Sequence, residues 1–197
     1  MIASVREKIY FLCKFARSPR QIGSVTPSSV WLADKMVKAV PWHDVRYAAE
    51  LGAGTGAITR RIVAVKPKHA RVILFEKDPD MRARLSRLFP DYACYEDACS
   101  MRQTLREEGI PDLDCVVSGL PFFNFPQPVR DQLLDQIALS LRPGGLLIAF
   151  QYSQQMRKHL ERRFELEHVH FVPLNVPPAF VYVCRKPGGE GVVRDSC

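Results

Sequence analysis

The 197-residue sequence lacks any apolar run that approaches the roughly 18 residues needed for a membrane-spanning helix. Charged side chains interrupt the first fifteen residues, and no small-residue cleavage site follows them, so no secretory signal peptide is evident. These two absences predict a protein that faces the cytosol and does not span a bilayer.

Signals for metal binding are also missing. None of the six cysteines belongs to a C-x-x-C pair, and the spacing of Cys94 and Cys99 matches no common zinc motif. His168 and His170 would share one face of a strand, but no third ligand lies near them in sequence. We therefore predict no metal site and interpret the cysteines as reduced thiols.

The net charge of +7 is distributed unevenly. Residues 1–20 contain five basic residues and one acidic residue, whereas residues 91–140 contain three basic and nine acidic residues. This distribution argues against a uniform surface for binding a polyanion and favours local basic patches that meet an anionic surface.

The first patch coincides with a helical pattern in residues 1–17. Ile2, Val5, Ile9 and Leu12 recur at spacings of three and four, and basic residues flank this apolar stripe. The pattern predicts a basic amphipathic helix that ends near Ser18. Two interpretations remain open, namely a helix that covers the core and a helix that lies in a membrane interface.

The rest of the chain alternates strands with helices, which predicts a mostly parallel sheet covered on both faces. A ligand site is then expected at the carboxyl ends of the strands, where strand order reverses. The predicted strands are Tyr47–Leu51, Val72–Phe75, Tyr92–Tyr95, Cys115–Val117, Leu146–Phe150 and an antiparallel pair, Leu166–Val172 and Phe180–Arg185. The predicted helices are Ala57–Val65, Pro79–Leu88, Met101–Glu108 and Val129–Leu141.

The most informative segment is the glycine-rich turn after the first of these strands. Gly52, Gly54 and Gly56 allow the backbone to approach a ligand closely, and Glu76 follows about 20 residues later, as in dinucleotide-binding folds. Glu50, however, places a carboxylate before the first glycine. It would repel the pyrophosphate of a nicotinamide cofactor and attract a ligand that carries an ammonium group.

The segment from Glu50 to Gly56 resembles the first motif of class I S-adenosylmethionine-dependent methyltransferases. The resemblance implies that the turn packs against S-adenosylmethionine and that Glu76 accepts hydrogen bonds from the two ribose hydroxyls. It also places Asp97 and Ala98, after the third strand, beside the adenine. Ser118, at the tip of the fourth strand, completes the expected cofactor-binding set.

The segment after the fourth strand is where the methyl acceptor binds in this fold. Adenine-directed methyltransferases often carry an amide or acid, an apolar residue, a proline and an aromatic residue here. In this chain the four positions are Gly119, Leu120, Pro121 and Phe122, so the amide that would hold an exocyclic amine is missing. An rRNA adenine-N6 methyltransferase is accordingly the alternative rather than the leading hypothesis.

Residues 118–121 are instead similar to the corresponding motif of bacterial phospholipid N-methyltransferases, a family related to rRNA adenine dimethylases. Residues 16–29, 142–145 and 175–182 also resemble segments of that family, so the resemblance covers nearly the whole chain. It implies methylation of phosphatidylethanolamine with S-adenosylmethionine as the cofactor, and no nucleic-acid partner.

The fold implied is an α/β, Rossmann-like class I methyltransferase with a mostly parallel seven-stranded sheet and an added N-terminal amphipathic helix. We expect residues 1–29 to form the membrane-associating segment, 30–186 the cofactor-binding domain and 187–197 a flexible tail. Residues 1–17 would then dock the protein on the anionic inner face of the cell membrane.

The expected substrate chemistry draws on the segment after the fourth strand. The backbone carbonyls of Ser118 and Gly119 are expected to orient the lipid amine. Phe122 and Tyr152 are the candidates for holding a methylated ammonium by cation–π contact. The interpretation also expects Phe122, Phe123 and Phe125 to be exposed beside the site. For a general base, the sequence offers Tyr152 or a water held by Asn175.

Overall fold

The computed structural model describes residues 29–188. The predicted amphipathic helix at residues 1–17 and the tail from residue 189 onward lie outside the described residues. Within residues 29–188, no helix is long and apolar enough to cross a membrane.

In residues 29–188, seven strands form one mixed sheet with the order β3-β2-β1-β4-β5-β7-β6. Only β7 runs antiparallel to its neighbours, so the predicted mostly parallel sheet is confirmed. Strand order reverses between β1 and β4, and the carboxyl ends of these two strands meet at one edge of the sheet. The strands are β1 (Tyr47–Leu51), β2 (Arg71–Phe75), β3 (Cys94–Tyr95), β4 (Leu113–Ser118), β5 (Leu141–Gln151), β6 (Glu165–Val172) and β7 (Ala179–Arg185).

Six α-helices cover the two faces of the sheet in the described part of the chain. One apolar cluster packs beneath α1–α3 and a second beneath α4–α6, and each combines alternate residues of the same strands. In β1, for example, Ala48 belongs to the first cluster and Ala49 to the second. The helices are α1 (Val30–Lys38), α2 (Ala57–Val65), α3 (Pro79–Leu88), α4 (Met101–Glu107), α5 (Gln127–Ser140) and α6 (Arg157–Glu161).

Helix α1 was not predicted from the sequence, although its signals are present. The Ser29 hydroxyl accepts a hydrogen bond from the Leu32 amide at 3.1 Å and so caps the helix. Leu32, Ala33, Met36 and Val37 then form the buried stripe of an amphipathic helix. The short helix α6 was also missed.

Strand β5 starts five residues earlier than predicted. Leu141 pairs with Leu113, and the register shifts before Cys115 pairs with Leu146. The extra residues of β5, around Gly144 and Gly145, form an irregularity in the strand rather than a separate turn. This irregularity lies at the edge of the sheet opposite the carboxyl ends of the parallel strands.

Candidate active site

A cleft opens at the carboxyl ends of β1, β2 and β4, where strand order reverses. Its apolar lining includes Phe75 and Leu120, and its polar lining includes Glu76, Lys77, Glu96 and Asp97. The cleft therefore offers acceptor oxygens on one side and an apolar wall on the other, which suits a nucleoside with an apolar contact surface.

The glycine-rich turn forms one wall of the cleft because its backbone adopts left-handed conformations. Gly52 has a φ of 71°, and a Cβ at this position would lie 2.7 Å from Cδ2 of Leu120. Gly56, with a φ of 80°, begins α2, and a Cβ there would lie 2.7 Å from the Phe89 ring. Any larger residue would strain the turn and push Leu120 or Phe89 out of place.

Glu76 connects this turn to the end of β2. One carboxylate oxygen accepts a hydrogen bond from the Gly54 amide at 2.7 Å, and the other accepts one from the Asp78 amide at 2.9 Å. Each carboxylate oxygen has a second lone pair, so both can still accept a hydrogen bond from a ligand hydroxyl group. Glu76 thus holds the turn in shape and presents acceptors to the cleft.

Asp97 and Ala98 lie at the end of β3, also on the cleft. One oxygen of Asp97 accepts a hydrogen bond from the Cys99 amide at 2.9 Å, which fixes the side chain at the start of a short 3-10 helix, Ala98–Ser100. The carboxylate also accepts a hydrogen bond from the Cys99 thiol. Carboxylate oxygens have further lone pairs, so Asp97 can still accept a hydrogen bond from a ligand amine.

Glu50 is not among the residues that line the cleft, and its expected contact with the cofactor stays a prediction. Its side chain is fully buried beside Thr59 of α2. Burial raises the pKa of Glu50 from 4.5 to about 8, and contacts with Thr59 offset only part of this effect. The carboxyl group therefore favours its protonated form at neutral pH.

The segment that follows β4 forms the far side of the cleft. Leu120 and Pro121 line the cleft, whereas the Ser118 side chain is buried and its hydroxyl accepts a hydrogen bond from the Leu120 amide at 3.2 Å. Ser118 therefore stabilises the turn and does not face the ligand through its side chain. Gly119 packs against β1, and its amide donates to the Leu51 carbonyl at 2.8 Å.

Gln151, which the sequence analysis did not single out, ties this segment to the end of β5. Its amide nitrogen donates to the Leu120 carbonyl at 3.0 Å, and its oxygen accepts from the Phe123 amide at 3.4 Å. The sequence does contain a signal for this role, since Gln151 is a polar residue at the end of a long apolar strand. We infer that Gln151 fixes the position of the acceptor segment.

Three phenylalanines were expected to be exposed beside the site, and this prediction is wrong for two of them. Phe122 is 0% exposed and Phe125 is 6% exposed, and only Phe123, at 44%, faces outward. Residues Phe122–Asn124 form a 3-10 turn after Pro121, which rotates the Phe122 ring into the core. Phe122 therefore cannot hold a methylated ammonium, while Phe125 forms part of the cleft wall.

Tyr152 is half exposed at the end of β5, but its phenol is a poor general base. Burial raises its pKa above 10, and a hydrogen bond to the Asn175 side chain offsets only part of the shift. Asn175 is itself buried and accepts from the Ser29 amide at 3.0 Å, while it donates to the Pro177 carbonyl at 2.7 Å. Asn175 thus joins α1 to the loop before β7. Neither Tyr152 nor a water held by Asn175 is therefore supported as the general base.

Within residues 29–188, no group of three His, Cys, Asp or Glu side chains is arranged to hold a metal ion. The described cysteines are free thiols, and burial raises the pKa of Cys94 to about 11.

Comparison with known proteins agrees with this geometry. Residues 48–145 match the model of a methyltransferase domain. An ornithine lipid N-methyltransferase of Singulisphaera acidiphila is 36% identical over 187 residues, which cover 92% of this chain and 97% of that protein. The chain is a class I lipid N-methyltransferase. The resemblance stated from the sequence is therefore confirmed.

Solved structures support the fold assignment. This methyltransferase superimposes on a 1,6-didemethyltoxoflavin-N1-methyltransferase of Burkholderia thailandensis with a TM-score of 0.69 at 16% identity, over 95% of this chain and 92% of the other. That neighbour contains bound S-adenosylhomocysteine. A ribosomal RNA small subunit methyltransferase A of Rippkaea orientalis is 25% identical, but the match covers only 64% of this chain and 48% of that protein.

The enzyme thus uses S-adenosylmethionine to methylate a lipid amine, and the cleft fits this cofactor. Glu76 offers two acceptor oxygens suited to a pair of ribose hydroxyls, and Asp97 offers one suited to an exocyclic amine. The bound cofactor supplies an electrophilic methyl group on a sulfonium. The protein holds the acceptor segment beside it through Gln151 and the Gly52–Leu120 contact.

Proposed function

We propose that the lipid methylated by this enzyme is phosphatidylethanolamine, and that the reaction occurs at the surface of an anionic membrane. The observation that carries this proposal is an apolar rim of exposed side chains at the same edge of the sheet as the acceptor segment. We define the apolar rim as Val30, Trp31, Tyr152, Leu174 and Val176.

The members of the apolar rim are held together by hydrogen bonds around Asn175. This residue joins the start of α1, and hence Trp31, to the loop that carries Leu174 and Val176, and it also contacts Tyr152. Trp31 is 60% exposed and Leu174 is 61% exposed, although both are large and apolar. Residues 143–156 and 171–184, which end at this edge, contain no charged side chain. Such a patch supports contact with lipid acyl chains.

The acceptor segment disfavours the alternative substrate, an adenine in rRNA. A Cβ at Gly119 would lie 3.0 Å from the Gly52 carbonyl oxygen and 3.4 Å from the Leu51 carbonyl oxygen. The amide or acid side chain that would hold an exocyclic amine therefore has no room unless β1 or the turn moves. An aliphatic amine needs no such side chain and can approach between backbone and aromatic groups.

The proposed reaction places the lipid amine in line with the transferred methyl group. The amine of phosphatidylethanolamine is mostly protonated at neutral pH, so it must lose one proton to solvent water before its lone pair can attack. The nitrogen–carbon bond then forms as the carbon–sulfur bond breaks, and each further methylation releases another proton. The Tyr152 ring, exposed on the apolar rim, is suited to hold the methylated cation. The protein contributes mainly proximity and alignment.

A second lipid candidate comes from the ornithine lipid N-methyltransferase, which is similar over nearly the full chain. Ornithine lipid and phosphatidylethanolamine both carry an amine on a short chain beside an oxyanion. We expect labelled methyl groups to enter phosphatidylethanolamine vesicles at a higher kcat/KM than ornithine lipid vesicles, with phosphatidylglycerol vesicles as the amine-free control. A strong preference for ornithine lipid would overturn the proposed substrate and leave lipid N-methylation intact.

The membrane contact predicts a loss of vesicle binding when the apolar rim becomes charged. Trp31→Glu combined with Leu174→Glu should weaken binding to vesicles of phosphatidylethanolamine and phosphatidylglycerol by about 10-fold or more, as measured by sedimentation. The reason is that burial of each apolar side chain in the membrane contributes roughly 1.5–3 kcal/mol to the free energy of binding. Leu139→Glu is the matched control, because Leu139 is equally exposed, at 59%, but lies in the last turn of α5, remote from the acceptor segment. Equal losses in both proteins would contradict the assignment of this surface.

The proposed contact also includes residues 1–17, whose basic amphipathic pattern suits anionic head groups. Their deletion provides a parallel arm of the sedimentation experiment and should weaken vesicle binding without changing the affinity for S-adenosylmethionine. Unchanged sedimentation would assign that segment to covering the core.

A further inference from the structure

Arg130, in the first turn of α5, is a buried cation without an acidic partner. It is only 9% exposed, and its Nε atom has no hydrogen-bond partner. The two nearest acids on the same helix, Asp131 and Asp135, both pair with Arg163, at 3.4 and 2.6 Å. Among residues 29–188, no carboxylate lies within ion-pair distance of Arg130. A buried charge of this kind is costly unless a ligand neutralises it.

The position of Arg130 links it to the acceptor segment. Its guanidinium carbon lies 6.0 Å from the centre of the Phe123 ring, which belongs to the 3-10 turn after β4. The Phe123 amide is bonded to Gln151 at the end of β5. Side chains in a helix point back toward its N-terminus, so the guanidinium lies at the edge of the sheet where the acceptor binds.

Two further features near Arg130 favour an anion. His159, on α6, has a buried Nδ1 atom without a partner, and burial followed by the nearby Arg130 charge lowers the pKa of this histidine. A neutral imidazole can donate one hydrogen bond from this nitrogen. In addition, α5 is a 14-residue helix whose N-terminus has no side-chain cap, and its positive end faces the same region.

We propose that Arg130, assisted by His159 and the uncapped start of α5, binds the oxyanion of the lipid head group whose amine is methylated. This inference rests on the proposed lipid substrate and adds to it a second anchoring point. The oxyanion is the phosphate in phosphatidylethanolamine and the carboxylate in ornithine lipid. In both lipids a short chain separates it from the amine, so an anchored oxyanion would direct the amine toward the cleft.

The test compares Arg130→Gln and Arg130→Lys with the wild-type enzyme in mixed micelles of each lipid. Loss of a charge-assisted hydrogen bond predicts that Arg130→Gln raises the lipid KM about 10- to 100-fold, with kcat changed by less than about 2-fold. Arg130→Lys keeps the charge and should recover part of the loss. Arg60→Gln is the control, because Arg60 is an exposed arginine on α2 and makes no ion pair in the described part of the chain.

Binding of S-adenosylmethionine, measured by calorimetry, should be the same in all four proteins. An effect with only one lipid would identify phosphate or carboxylate as the recognised group. An unchanged lipid KM in Arg130→Gln would overturn the proposal. So would an equal rise in Arg60→Gln, or a loss of cofactor affinity that accounts for the change.

A binding experiment separates failure of this site from failure of the proposed substrate. With S-adenosylhomocysteine present, the wild-type protein should bind soluble phosphoethanolamine, and Arg130→Gln should bind it about 10-fold more weakly or worse. This result would support the anion site even if neither lipid were methylated. Equal binding by both proteins, or no binding by the wild type, would refute the anion site. If Arg130→Gln does not fold, as judged by its Tm, Arg130→Lys replaces it. This variant keeps the charge but loses the fork of N–H donors, so it should bind phosphoethanolamine more weakly than the wild type, and equal binding would refute the anion site.

Discussion

Replacing Glu76 by alanine should weaken S-adenosylmethionine binding by about 100-fold or more. The substitution removes both acceptor oxygens that face the cleft, and hydrogen bonds to a charged group contribute roughly 1.5–3 kcal/mol each. It also releases the Gly54 and Asp78 amides, which the carboxylate now holds at 2.7 and 2.9 Å. The turn that approaches the cofactor would thus lose its support together with its ligand contacts. Calorimetric titration with S-adenosylmethionine measures the change.

Two variants separate these effects of Glu76. Glu76→Gln keeps one acceptor oxygen and the shape of the side chain, so it should lose less affinity than Glu76→Ala. Asp80→Asn removes an exposed charge four residues away on α3 and should bind S-adenosylmethionine as the wild type does. If Glu76→Ala bound the cofactor within about 3-fold of the wild type, this cleft would not be the cofactor site.

Replacing Glu50 by glutamine should remove a large dependence of protein stability on pH. In an unfolded chain the pKa of this carboxyl is 4.5, whereas burial raises it to about 8 in the folded protein. Between these values the folded state binds a proton that the unfolded state has lost. The contribution of Glu50 to the free energy of unfolding is therefore greatest below pH 4.5 and falls as the pH rises toward 8. The total fall is roughly 4–5 kcal/mol, at about 1.4 kcal/mol per pH unit.

Urea unfolding between pH 5 and pH 8.5, without cofactor, measures this effect. The unfolding free energy of the wild type should decline across the range relative to that of Glu50→Gln, because the amide does not titrate. Glu165→Gln, which removes an exposed carboxylate on β6, should follow the wild-type curve. Parallel curves for the wild type and Glu50→Gln would show that the buried carboxyl does not hold its proton.

The cofactor cleft could be located from the sequence because topology fixes it. Parallel strands bring their carboxyl ends to one edge, so Gly52, Glu76 and Asp97, each following a strand, meet there despite their separation along the chain. The positive φ of Gly52 and Gly56 explains why glycine is required at these two positions. Spacing and strand order therefore sufficed for this half of the site.

Side-chain orientation at the ends of elements was harder to predict. Glu50 shares a face of β1 with Ala48, so alternation along the strand could have indicated that its side chain is buried. Phe122 turns into the core because Pro121 starts a 3-10 turn, and no periodic pattern reveals such a short element. Arg130 gave no signal either, since an arginine on an amphipathic helix is usually exposed.

The central claim is that the cleft and the acceptor segment transfer a methyl group to a lipid amine, and a single-turnover experiment tests it most directly. The enzyme is loaded with methyl-labelled S-adenosylmethionine and mixed with phosphatidylethanolamine vesicles and ribosomal RNA in one tube. We predict that the label appears on the lipid head group, with one S-adenosylhomocysteine formed for each methyl transferred. Label in the RNA, or bound cofactor that remains intact while both acceptors stay unlabelled, would contradict the account.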